Sequence, residues 1–123
     1  MEGRGFSVAD RIKAFGFAIA GLTKAVKTQH ALWLQLSAAA AITLLGIYFN
    51  ITREEWRWLI VAITMVITAE TMNTALEFLA DAFTQEHHPL IGHAKDVAAG
   101  AVLVAALGAA LIGLSVFLPY LKI

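Results

Sequence analysis

Four polar side chains, Glu70, Asn73, Glu77 and Asp81, interrupt the apolar segment WRWLIVAITMVITAETMNTALEFLADAF. At about 100° per residue they fall within one arc of roughly 80° on a helix. Glu86, His87, His88 and His93 follow, and then the pair Lys95-Asp96. Mg²⁺ prefers one or two carboxylates completed by phosphate oxygens. Lysine serves phosphate as a point charge. A carboxylate partly withdrawn from water is suited to act as a general base. Together these parts describe phosphoryl transfer at a membrane surface. A blander account pairs Glu77 with Lys95 as a structural ion pair. Histidines also ligate zinc, but their spacing here matches no standard zinc signature.

The elements that position these residues are those of a membrane protein. Of 123 residues, 59% are hydrophobic, and the mean hydropathy is +0.74. That exceeds the apolar share of ordinary soluble domains, so lipid is the expected solvent. The length suits one domain over residues 1–123. Formal net charge is zero, which argues against a nucleic-acid partner. The absence of cysteine removes disulfides, thiolate metal sites and thiol nucleophiles. The N-terminus lacks an uninterrupted apolar core and is not expected to be a signal peptide.

The chain reads as all-α: an amphipathic surface helix and three transmembrane helices. Residues 6–28 interleave Arg11, Lys13, Lys24 and Lys27 with apolar side chains. This pattern suits a helix lying among lipid headgroups, with Ser7 or Asp10 as its cap. Spans are expected at about 31–49, 56–83 and 97–118. Asn50-Ile51-Thr52 turns the chain between the first two, and Trp56 and Trp58 mark an interface. The segment QEHHPLIGH reads as a loop over 85–93, with Pro89 and Gly92 as breakers. Pro119 is expected to end the third span. Ala101, Ala105, Ala109 and Gly113 recur at every fourth position and favour close helix packing.

From Trp56, Glu70 lies about 21 Å along the second span and Glu77 about 31 Å. The acidic stripe therefore opens at the far interface, where a water-borne substrate meets lipid. The N-terminal helix and the 84–95 side carry Arg4, Arg11, Lys13, Lys24, Lys27 and Lys95. The other side carries Arg53, Arg57 and Lys122. This asymmetry places the N-terminus and the acidic mouth in the cytoplasm.

No GxxxxGK[ST], GxGxxG or protein-kinase catalytic loop occurs. The stretch AETMNTALEFLADAFTQEHHPLIGHAKDVAAGAVL instead resembles the signature of the small prokaryotic diacylglycerol kinases, which include undecaprenol kinases. Its pattern is E-x-x-N-[ST]-A-x-E, then D, then E-x-H, then A-K-D-x-x-A-x-A-V. The resemblance spans nearly the whole chain. It implies a homotrimer in the bacterial inner membrane, with shared sites facing the cytoplasm. These would transfer the ATP γ-phosphate to a lipid hydroxyl with Mg²⁺.

Residue by residue, the resemblance makes Glu70 the general base and Glu77 a metal ligand. Asn73 and Asp81 support the site, with Ala99 on its lipid side. Glu86, His87 and His88 match the loop beside the nucleotide, and Lys95 and Asp96 the pair that holds phosphate and nucleotide. Gln29 stands where the family usually has a second metal-binding glutamate. Its amide oxygen can ligate Mg²⁺ but adds no charge. Phe17 replaces a common tyrosine near the nucleotide, and Arg11 takes the place of an early arginine. Diacylglycerol is the first expected acceptor and undecaprenol a close alternative. A rival of another class is a non-catalytic membrane protein, either a degenerate kinase or a small cation or proton channel. A proton path needs polar groups along the whole span, yet Leu59–Ala69 offers only Thr64 and Thr68.

Overall fold

Ser7 caps the first helix: its Oγ accepts from the Asp10 N–H at 3.4 Å. The computed structural model describes residues 5–121, as four helices. They are α1 (Val8–Thr28), α2 (His30–Phe49), α3 (Arg53–Phe83) and α4 (Pro89–Leu121). The last three are long and apolar enough to cross a membrane. Arg4 and Lys122, used in the charge asymmetry, lie outside the described residues.

Local chemistry explains each boundary. A single extended residue, Gln29, makes the corner between α1 and α2. Asn50 ends α2 in the left-handed region at φ 50°, a conformation asparagine tolerates. Its N–H reaches the Ile47 carbonyl, and the Ile51 N–H reaches that of Gly46. This is the paired closure of a Schellman turn, and Ile51 is buried as its apolar contact. Thr52 and Glu55 then form a reciprocal capping box. α3 therefore starts at Arg53, three residues before the expected Trp56.

The largest correction concerns α4. Pro89 does not break the chain but starts the helix, where its missing N–H has no partner to lose. Gly92 continues it, its N–H bonding the His88 carbonyl. The connection is thus 84–88, not 85–93, and α4 starts eight residues before position 97. Pro119 likewise lies within α4. At about 46 and 50 Å, α3 and α4 both outrun a hydrocarbon core of about 30 Å.

Antiparallel packing of α3 on α4 is the main tertiary contact, with α2 against α3 and α1 touching lightly. The core lies at the end away from the 84–88 connection. Ile51, Leu59, Val116 and Phe117 are buried there, with Phe49, Trp56 and Tyr120 against them. A Cβ on Gly46 would stand 2.6 Å from the Trp56 ring, so only glycine fits there without rearrangement. Of the four-residue small stripe, only Ala105 is buried. A repeat of four advances about 40° per step and drifts off the contact face. The packed face runs through Ala105, Gly108, Ile112 and Val116 instead, with a Gly108 Cβ position 3.3 Å from the Met65 methyl.

One chain exposes 9422 Å², against about 6,400 Å² for a compact monomer of this mass. Leu34, Leu44, Ile60, Val104 and Leu111 are among the large apolar side chains left open. Such a surface is suited to lipid or to further subunits.

Candidate functional site

The polar residues gather where α3 and α4 meet their connection. Asp81 ends the acidic stripe of α3, and Lys95 projects from the second turn of α4. The Lys95 Nζ lies 2.8 Å from Asp81 Oδ1. Early initiation at Pro89 brings this about: it makes residues 89–95 helical and sets His88, Ile91, Gly92 and Lys95 at helical spacing. These residues line a cleft of about 600 Å³ with Asp81, Thr84, Gln85, Glu86 and His87. The Glu86 N–H bonds Thr84 Oγ1 at 3.1 Å, and His88 meets the Phe83 ring edge-on. Asp81 and Lys95 are only about half covered. Their pair is thus solvent-screened and the ammonium is free to re-partner with phosphate. Glu77, the partner assigned to Lys95 in the structural account, bonds Asn73 instead.

Deeper along α3 lies a second group. Glu70 is buried, at 7% exposure, and so is Thr74. The Thr74 hydroxyl donates to the Glu70 backbone carbonyl, not to its carboxylate. Asn73 Nδ2 donates to Glu77 Oε1 at 3.4 Å, while Asn73 Oδ1 is buried without a partner. The Asn73 amide thus turns its nitrogen to Glu77, and the free acceptor Asn73 Oδ1 and the Glu77 carboxylate are both oxygens of the type a hard cation such as Mg²⁺ prefers. Beside this group, α1 and α3 enclose an apolar groove of about 470 Å³. Ala18, Gly21, Leu22, Lys24 and Ala25 line it from α1, and Thr71, Thr74, Ala75 and Phe78 from α3.

Other expected site residues stand apart from the cleft within one chain. Arg11 stacks over Phe6 at the start of α1. Phe17 is 76% exposed. Gln29 sits at the α1–α2 corner, its Nε2 donating to Thr28 Oγ1. Asp96 and Ala99 are exposed, and neither lines the cleft or the groove. Among the described residues no three His, Asp or Glu side chains converge as a metal cluster. Thr84, Gln85, Ile91 and Gly92 were not expected in the site. Reading Pro89 as a helix start would have found the last two, because they then share a face with Lys95.

Fold and site define a small α-helical membrane protein with an acid-and-lysine cleft at one end of its helix pair. The family model described as prokaryotic diacylglycerol kinase matches residues 16–117. The chain is 37% identical over 109 residues to the undecaprenol kinase of Bacillus subtilis (strain 168), covering 89% of each protein. It is 33% identical over 107 residues to the diacylglycerol kinase of Synechocystis, covering 86% of this chain and 61% of that protein. It is 30% identical over 94 residues to the diacylglycerol kinase of Escherichia coli (strain K12), covering 76% and 77%. The chain belongs to the prokaryotic diacylglycerol kinase family and is a membrane-bound lipid kinase.

Proposed function

We propose that this kinase transfers the γ-phosphate of ATP to a lipid hydroxyl, with Mg²⁺, at the cytoplasmic face of the bacterial inner membrane. The observation that carries the reading is one helix face with a buried acid, Glu70, below an open cleft holding Lys95. Glu70 is withdrawn from water and placed to take the proton of a lipid hydroxyl arriving from the bilayer. Lys95 exchanges Asp81 for phosphate oxygens, and Glu86, His87 and His88 border the nucleotide. Glu77 and Asn73 Oδ1 would hold Mg²⁺. When bound, the ion neutralises charge on the transferring phosphoryl group.

Assembly as a homotrimer is part of the same proposal. One chain leaves Arg11 and Phe17 unused and a wide apolar surface uncovered. A neighbouring subunit would cover that surface and complete each site. Gln29 contributes an oxygen but no charge to the metal. Gln29→Glu should lower the Mg²⁺ concentration for half-maximal rate about threefold or more, in a titration at saturating ATP. A raised or unchanged value removes position 29 from the metal.

Orientation follows from the described basic residues. Arg11, Lys13, Lys24, Lys27 and Lys95 lie on the cleft side and Arg53 and Arg57 on the other. A single cysteine at exposed Glu54 should react with an impermeant maleimide added to intact cells. Labelling only after the membrane is breached would reverse the topology.

For the acceptor, sequence reasoning ranks diacylglycerol slightly ahead of undecaprenol, and relatives carry both names; the chemistry of the groove favours undecaprenol in our reading. Thr71 donates its hydroxyl to the Ile67 carbonyl and Thr74 to that of Glu70. Neither is left to serve the ester carbonyls of diacylglycerol, whereas a polyprenol is a bare primary alcohol on an apolar chain. Comparing kcat/KM for the two lipids in one bilayer should favour undecaprenol about tenfold, near 1.4 kcal/mol in transition-state binding. A tenfold preference for diacylglycerol would overturn this ranking.

A further inference from the structure

We propose that Tyr120 and Glu55 are positioning residues: their hydrogen bond, at the end of the helix pair away from the cleft, sets the register that brings Lys95 to Asp81. The proposal rests on the reading of the Lys95 end as the phosphate-binding end. Among the described residues, only two side-chain hydrogen bonds join α3 to α4. One is Lys95 to Asp81; the other is the Tyr120 hydroxyl donating to Glu55 Oε1. Between them the buried residues are apolar, among them Leu59, Ala62, Val66 and Ala105, apart from Glu70 and Thr74, whose side chains make no hydrogen bond to α4. Apolar contact is non-directional, and packed helices can shift past one another by a whole turn. A directional bond at each end removes that freedom.

The spacing of the two bonds is matched. Glu55 and Asp81 stand 26 residues apart on α3, and Lys95 and Tyr120 stand 25 apart on α4. At 1.5 Å per residue these are about 39 and 38 Å. Both bonds therefore close in one antiparallel register, and a slip of one turn, about 5.4 Å, would open both.

Each partner at the distal end is itself held. Glu55 Oε1 also accepts from the Thr52 N–H at 2.9 Å, so the capping box fixes its rotamer. The Tyr120 ring packs 5.6 Å from that of Phe49. Pro119 cannot donate to the Ser115 carbonyl, which weakens the final turn of α4. The tyrosine hydroxyl ties that turn to α3 instead.

Tyr120→Phe removes the hydroxyl and keeps the ring. Nitroxide labels on exposed Ala82 and Ala94 report the cleft end by electron paramagnetic resonance, in a chain with no native cysteine. Tyr120→Phe should broaden the distance distribution between them. In the unlabelled protein it should raise KM for ATP about three- to tenfold, with kcat changed less than about twofold. Glu55→Ala breaks the same bond from the other helix and should broaden the distribution equally. Glu55→Gln retains an acceptor oxygen and should keep the parent distribution and KM. A lowered Tm with unchanged distances and KM, in both Tyr120→Phe and Glu55→Ala, would leave the bond merely structural and overturn the proposal. Loss of all lipid phosphorylation in the parent would overturn the functional reading, while the label distances would still decide the register.

Discussion

Glu70→Gln should lower kcat by about 10²-fold or more, with nucleotide affinity changed less than about twofold. The substitution keeps the volume of a buried side chain, so packing on α3 survives. The Thr74 hydroxyl bonds the Glu70 backbone carbonyl, and that contact is untouched. What disappears is the ability to accept a proton from the lipid hydroxyl. The measurement is steady-state turnover at saturating lipid, beside equilibrium ATP binding. Full activity in Glu70→Gln would remove this residue as the base. Equal losses of turnover and nucleotide binding would make it a structural acid.

Lys95→Met should lower kcat/KM for ATP by about 10²-fold, the scale for removing one charged donor from a transferring phosphoryl group. Methionine retains most of the stem, so the loss reports the charge. Asp81→Asn separates the two roles open to this lysine. If Lys95 served only to bond Asp81, the two substitutions would be equally damaging. If it serves phosphate, Asp81→Asn should cost less than about tenfold, because the exposed pair is worth at most about 1 kcal/mol. Parity between the variants would refute the phosphate role.

Much of the architecture was legible because lipid restricts backbone choice. Unbroken apolar runs must become helices there, so the three spans, α1 and the turn at Asn50 follow from composition and period. The errors fall where one residue type has two meanings. Pro89 breaks a helix in its interior but favours its first turn, and here it takes the second role, opening α4. The stripe at Ala101, Ala105, Ala109 and Gly113 follows a period of four, while the helix turns every 3.6 residues.

The acidic side chains were legible in the same way. A helix fixes the angle between residues on itself, so Glu70, Asn73, Glu77 and Asp81 had to share one face. Periodicity says nothing about angles between helices. That Asp81 meets Lys95, that Glu77 turns to Asn73, and that Tyr120 reaches Glu55 depended on how α3 and α4 pack. By itself the sequence determined which residues carry charge within an apolar span, and on which face. Only the tertiary structure decided their partners, because register between two helices is set by side-chain contacts across the interface, which no local pattern encodes.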